Sequence, residues 1–351
     1  MRIGQARGGA WWVLLALLLV GGRLAADERL KRYEFSQVEM GVPFKIVLYA
    51  ADEALAKRAT EAAFARVTEL NRILSDYDER SELSRLSAGS PQAAPVAVSK
   101  PLWCVLERAQ ALAAESDGAF DVTVGPLVRL WRRARREHEL PTPERLAAAL
   151  DCVGYRNLEL DPARRAVRLA KGHMRLDVGG IGVGYAVDEA LAVLKAHGIE
   201  RAMIDASGDI GAADPPPDAE GWSIGLVGAD PAAAPTEFLT LANAAVANSG
   251  DAFQHVEIDG VRYSHIVDPH TGLGLVDRSS VTVYAADCIT ADSLSTAISV
   301  LGPQRGSELA GKHRAAVRIV RQPADKVLVD ESPSWQRLKQ TKVKTKNAVP
   351  R

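Results

Sequence analysis

Asp292 and Thr296 stand four residues apart in Ala291-Asp292-Ser293-Leu294-Ser295-Thr296, a spacing that puts a carboxylate and a hydroxyl on one face of a helix. Both are hard oxygen donors of the kind that hold Mg²⁺ while water and phosphate oxygens take its other positions. Alone, the pair reads equally well as a first-turn acid and a hydroxyl bonded to its own backbone. A second segment, Asp177-Val178-Gly179-Gly180-Ile181-Gly182-Val183-Gly184-Tyr185, runs four glycines into a helix. Glycines there let backbone N–H groups close on an anion, and the helix N-terminus adds a favourable potential. Tight helix–strand packing is the plainer alternative. A dinucleotide fingerprint fits poorly, although Asp205 follows at a suitable distance: counted from Gly180, the third glycine of G-x-G-x-x-G falls on Tyr185. In the third segment, Tyr263-Ser264-His265-Ile266-Val267-Asp268-Pro269-His270-Thr271-Gly272, His265 ends a strand beside a Pro/Gly turn. It can serve as a general base or sit as a satisfied core residue.

These residues need elements to hold them. Phe44–Leu48 reads as a strand, and Asp52 caps a helix with apolar positions at Leu55, Ala59, Ala63, Val67, Leu70 and Leu74. Ser75-Asp76-Tyr77-Asp78 ends that helix, and Pro101–Glu115 forms another with proline in its first turn. The basic stretch Arg129–Arg136 reads as a solvated helix end. Met174–Val178 is expected as a strand, Tyr185–His197 as a helix and Arg201–Ala206 as a strand. Short strands follow at 222–227, 244–247, 256–258 and 281–285, with a turn at Asp259-Gly260 and a helix over Ala291–Leu301. The whole is a mixed α/β (α+β) protein. Residues 331–351 carry scattered lysines and few apolar side chains, and are expected to be disordered.

Composition narrows the class. The 351 residues are 25% charged with a formal net charge of −1, which argues against nucleic acid as the main partner. Arg2 and Arg7 precede an apolar run from Ala10 to Val20 and the small residues Ala25-Ala26, the layout of a secretory signal peptide over residues 1–26. The run is short for a membrane span, so an uncleaved anchor is the lesser reading. The main domain is then residues 27–330, exported to the periplasm or cell envelope. The lysines of the tail leave contact with the inner membrane open. Cys104, Cys152 and Cys288 show no metal-ligand spacing; Cys104 and Cys152 read as small core residues.

In combination and order these segments closely resemble the ApbE family of FAD:protein FMN transferases. The resemblance covers roughly Met40 to Gly302. It rests on Met40-Gly41, Leu74-Ser75-Asp76-Tyr77, Ser81-Glu82-Leu83-Ser84-Arg85-Leu86, Asp117-Gly118-Ala119-Phe120-Asp121 and Val124-Gly125-Pro126-Leu127. It continues through the glycine block to Asp188, Ser207-Gly208-Asp209-Ile210, Asn248-Ser249-Gly250-Asp251, the His265 segment and Ala291-Asp292. The resemblance implies a two-lobed fold with the cofactor cleft between lobes, FAD as substrate, and Mg²⁺ held by Asp292, Thr296 and the backbone carbonyl of Gly182. It implies cofactor contacts from Met40, Tyr77, Phe120, Asp121, Asp188 and His265, with Asp292 and His265 as the catalytic pair. Tyr77 also makes sense unaided, since an aromatic face can stack on a flat isoalloxazine; Met40 and Phe120 fit plain core, and Asp121 a cap or turn. The implied partner is an exported redox flavoprotein presenting a Ser/Thr-Gly-Ala-Thr type acceptor. Two other activities share these residues: a FAD pyrophosphatase giving FMN and AMP, and a non-catalytic FAD-binding protein. The chain departs from the family at Val183, where a lysine is common, and at Ala252 and Gln254, where an aromatic residue and an arginine are often found.

Overall fold

The computed structural model describes residues 30–226, 235–250, 254–323 and 326–346. The expected leader over residues 1–26 lies outside them, as do Asp251 and Ala252. Strand β1 (Lys31–Glu39) turns through Met40 and Gly41, both at positive φ, into β2 (Val42–Ala50). A two-residue connection of that handedness matches the twist of the strands it joins. Helix α1 (Glu53–Leu74) follows, its first turn capped by Asp52, whose Oδ1 accepts the Leu55 N–H at 2.8 Å. Then come α2 (Glu82–Ala88), β3 (Val96–Ala97), α3 (Lys100–Glu115), α4 (Gly125–Glu137) and α5 (Pro143–Asp151). Beyond them lie β4 (Leu158–Asp161), β5 (Ala166–Leu169), α6 (Gly182–Ala196), β6 (Ala202–Ala206) and β7 (Asp209–Ala212). The remainder is β8 (Trp222–Gly225), β9 (Phe238–Leu241), β10 (Ala244–Gly250), β11 (His255–Ile258), β12 (Val261–Ser264), β13 (Ser279–Ala285), α7 (Cys288–Lys312), β14 (Ala316–Arg321), β15 (Leu328–Glu331) and α8 (Pro333–Lys346).

Eight strands form one sheet in the order β1-β2-β6-β7-β10-β13-β14-β15, and every neighbouring pair is antiparallel. The alternation of helices and strands in the second half therefore builds a mixed α/β fold with no parallel strand pair among the named strands of the described residues. One face carries the largest apolar cluster, in which Ala56, Ala63 and Leu70 of α1, Ala186 and Ala190 of α6, and Leu294 and Ile298 of α7 pack on Ile46, Ile204 and Val283. Alanine-rich helix faces allow close approach, and burial of this apolar surface is the main favourable term holding the layers together. The opposite face is covered by a second cluster that includes Trp222, Ile224, Leu241 and Trp335. A third cluster joins Leu127 and Trp131 of α4, Ala149 of α5, and Val256, Ile258 and Val267 of the β11–β12 region, forming a small separate lobe.

Several expectations need correction. Met174–Val178 is extended but is not a strand of any sheet; only an isolated bridge joins Arg175 to Val124. Its backbone donors go elsewhere: Met174 N–H to Ser90 Oγ, Leu176 N–H to Ser87 Oγ, and Asp177 N–H to the Val122 carbonyl. Hydroxyls and a loop replace the ladder. Helix α6 begins at Gly182, three residues before the expected start, and α7 runs past Leu301 through a break at Gly302. The tail is not disordered as a whole, because residues 333–346 are helical and Trp335 is fully buried. Replacing Trp335 by alanine should cost about 3–5 kcal/mol of stability through lost burial and the cavity left behind, measurable by urea denaturation. All three cysteines are free thiols. No helix among the described residues is long and apolar enough to cross a membrane.

Candidate active site

Helix α6 crosses α7 at its glycine-rich start. A Cβ on Gly184 would lie 2.4 Å from the Cys288 carbonyl oxygen and 2.8 Å from the Asp292 Cβ. The missing side chain lets the Gly184 N–H reach Asp292 Oδ2 at 3.0 Å. A Cβ on Gly180 would meet Thr296 Oγ1 at 2.8 Å, so the glycine block faces both members of the Asp/Thr pair. Ser249, on β10, completes this cluster: its Oγ lies 2.6 Å from Ser295 Oγ and 3.4 Å from Thr296 Oγ1.

The electrostatics are those of a place short of positive charge. Asp292 is buried, and desolvation, with a further push from Asp188, raises its pKa to about 7 against the pull of the Gly184 N–H. Asp209, on β7, is raised well above its ordinary range by desolvation and then by Asp292 and Asp205. No ion pair to either carboxylate occurs among the described residues. Nor do those residues contain a group of three His, Cys, Asp or Glu side chains able to hold a metal. A cation here would instead take one carboxylate, the Thr296 hydroxyl and a backbone carbonyl such as that of Gly182, leaving its other positions to water and phosphate. That donor set suits Mg²⁺, which keeps several waters and few protein ligands.

Asp188, expected to contact the cofactor, bridges two helices in this structure. Its two carboxylate oxygens accept the N–H groups of Cys288 and Ile289 at 2.8 and 2.9 Å, tying α6 to the first turn of α7. Burial lifts its pKa to about 6 despite those bonds. The native state therefore binds a proton that the unfolded chain has released. This contribution to stability is full below about pH 4 and lost as pH rises through about 6, worth about 3 kcal/mol. Without a divalent cation, thermal stability should fall across that window, and Asp188→Asn should flatten the slope.

Met40 reaches the same region from the β1–β2 turn: the Cβ position of Gly182 is 3.8 Å from its Cε. Tyr77, Phe120 and Asp121 have separate surroundings. Phe120 is core, 4% exposed. Asp121 organises a turn, accepting from Thr123 N–H and Oγ1–H with Oδ1 and from Tyr155 N–H with Oδ2. Tyr77 is 76% exposed, yet one face is covered by the Arg132 guanidinium 4.0 Å from the ring centroid. Arg132 pairs with Asp76 and, at 3.1 Å, with Asp177, whose Oδ1 accepts the Gly179 N–H at 2.9 Å. The tyrosine and the glycine block are thus linked through one arginine. No local sequence pattern marks this trio, since Arg132 falls within the basic stretch expected as a solvated helix end.

His265 is on the small lobe. Its Nδ1 lies 3.1 Å from the Gln254 carbonyl and its backbone N–H donates to the same oxygen. With Nδ1–H as donor, the lone pair rests on Nε2, the form in which imidazole accepts a proton. The hairpin it belongs to is fixed to α4 by the Trp131 Nε1–H bond to the Gly272 carbonyl at 2.8 Å.

Fold and site define a class: an antiparallel sheet backed by helices, with a glycine-rich helix start closed against an Asp/Thr pair on its neighbour. Comparison with known proteins places the chain within that class. It belongs to the ApbE family, whose model matches residues 40–320. A curated relative from Vibrio cholerae, named FAD:protein FMN transferase, is 32% identical over 88% of this chain and 93% of its own length. One of that name from Haemophilus influenzae is 29% identical over 94% of this chain and 98% of its own. The solved flavin transferase ApbE from Vibrio cholerae superposes with a TM-score of 0.77 at 30% identity, over 88% of this chain and 99% of that one. The apo flavinyl transferase ApbE of Pseudomonas stutzeri gives 0.78 at 28% identity, over 88% of this chain and 97% of that one.

Proposed function

We propose that the chain is an exported, Mg²⁺-dependent FAD:protein FMN transferase that places FMN on a threonine hydroxyl of an exported redox flavoprotein and releases AMP. The observation that carries the reading is the closure of Gly184 on Asp292 and of Gly180 on Thr296. It brings a carboxylate and a hydroxyl, both hard oxygen donors, against the start of one helix. Family membership and relatives named for that activity support it.

In the reaction the acceptor oxygen forms a bond to the FMN-side phosphorus of FAD. The bridging P–O bond breaks, its electron pair leaving with AMP. The threonine proton goes to a base, for which His265 Nε2 is the candidate. A bound Mg²⁺ would supply neutralising charge to the phosphoryl oxygens. Asp292 and Thr296 would hold it together with the Gly182 carbonyl, and the glycine block would orient the pyrophosphate. Asp209, whose carboxyl is held in the protonated direction by burial and by the neighbouring Asp292 and Asp205, would give up its proton more readily with a cation beside it. Tyr77, steadied on one face by Arg132, offers its other face to the flavin ring.

Val183 favours a second reading. Its side chain packs against the main core and brings no charge to the glycine block, so an FAD-binding protein that does not transfer is the alternative. Incubating the chain with FAD, Mg²⁺ and a peptide bearing Ser-Gly-Ala-Thr, with mass spectrometry of the products, separates the cases. FMN joined to the peptide is the expected result. Free FMN and AMP at the same rate without peptide would make it a pyrophosphatase, and intact bound FAD would make it a carrier.

A further inference from the structure

An open groove of about 430 Å³ lies on the outer side of α4, on the small lobe. Arg129, Arg133 and Arg136 project into it from one helix face, His173 and Arg175 form the facing wall, and Leu130 lies among them. None of its lining residues is acidic. The chain as a whole carries a formal net charge of −1, so this positive charge is local. Arg133 is partly compensated by Glu137 at 2.7 Å outside the groove. The groove is also next to the site, because Arg175 serves both. Its Nη2 donates to the Asp76 carbonyl at 2.7 Å beside Tyr77, and it stands two residues before Asp177.

We propose that this groove docks an acidic segment of the acceptor protein, which places the acceptor threonine beside the glycine block; the inference rests on the transferase reading above. Three features choose this occupant. The cationic lining is arginine without lysine, and guanidinium forks match carboxylates in two-point contacts. The volume falls within the range of ligand-binding clefts, enough to seat a few side chains. The surface is concave, whereas a bilayer meets a protruding basic and apolar face. Because α4 also holds Arg132 against Tyr77, a segment lying along its outer face runs toward the flavin.

The test uses three fluorescent peptides with one Ser-Gly-Ala-Thr core and a tail of Asp, Ser or Lys residues. Docking to the chain is read by anisotropy, and transfer by the KM for each peptide with FAD and Mg²⁺. The Asp-tailed peptide should bind most tightly and show a KM about fivefold below the Ser-tailed one at low salt, with the advantage shrinking as salt rises. Arg129→Glu with Arg136→Glu should abolish that advantage while leaving kcat for the Ser-tailed peptide and FAD binding unchanged. The milder pair Arg129→Gln and Arg136→Gln should reduce it by part. Equal binding of the three tails would overturn the proposal. So would arginine-dependent binding to anionic phosphatidylserine vesicles with no effect on the peptides. Arginine-dependent docking of the Asp-tailed peptide without FMN transfer would leave the groove standing and sink the transferase reading instead.

Discussion

Asp292→Asn should lower Mg²⁺-dependent FMN transfer by about a thousandfold, the scale expected when a preorganised charge-stabilising group is lost. Asparagine keeps the side-chain shape and an oxygen for the Gly184 N–H, so the α6–α7 crossing survives. What disappears is the negative charge that a divalent cation requires. The folding consequence runs the other way. Burial holds the carboxyl at a pKa of about 7, above its value in the unfolded chain. Above that pH the metal-free native state bears the cost of a buried charge, which the neutral amide removes. Thermal unfolding without metal should therefore be no lower in the variant than in the parent at pH 8. Transfer rate against Mg²⁺ concentration and thermal unfolding, measured on one preparation, separate the two effects. Full Mg²⁺-dependent transfer by the variant would remove Asp292 from the metal site.

Gly184→Ala should damage both fold and activity. The added methyl would sit 2.4 Å from the Cys288 carbonyl oxygen, a backbone atom near the start of α7 that no rotamer change can move. Helices α6 and α7 must part, lengthening the bond from Gly184 N–H to Asp292 and loosening the capping of α7 by Asp188. Overpacking of this kind costs about 1–3 kcal/mol, and a donor left unmet adds about as much. Chemical denaturation and transfer assays together should show a destabilised protein with little FMN transfer at any Mg²⁺ concentration. Gly311→Ala is the control: nothing lies within 4 Å of its added Cβ, and alanine should be neutral or slightly stabilising within the helix. Equal stability of Gly184→Ala and the parent would mean that the crossing is not as close as described.

How far these features can be read from sequence depends on the range of the interaction that fixes them. Helix α1 was legible because its cap and its apolar repeat lie within one segment. The Asp292–Thr296 face was legible for the same reason. The early start of α6 was not, because glycines disfavour helix and only their clearance against Cys288, about a hundred residues on, accounts for them there. Met174–Val178 carries a strand-like alternation, but Ser87, Ser90 and Val122 take its backbone bonds before any strand can. Helix α7 continues beyond Gly302 because that residue sits at positive φ and Pro303 starts a second helical run. The tail was read by its lysines, while a single buried Trp335 decides its structure. The pairing of Arg132 with Asp76 and Asp177 joins three distant points of the chain, and no local pattern announces it.

The separate apolar cluster under the His265 hairpin bears on how the molecule opens. It gathers only a few buried side chains around Trp131, while Val178, Ile181 and Ala186 around the glycine block, and Ala291 and Leu294 beside Asp292, belong to a cluster that spans the main sheet. Regions with few buried contacts exchange their amide hydrogens through partial opening well below the global unfolding energy. The β11–β12 hairpin and α5 should therefore exchange as one early cooperative unit, with α6 and the first half of α7 exchanging late. On the transferase reading proposed above, the end that would hold phosphate is built on the slow-exchanging part of the protein, and the end that would handle the proton on the fast one.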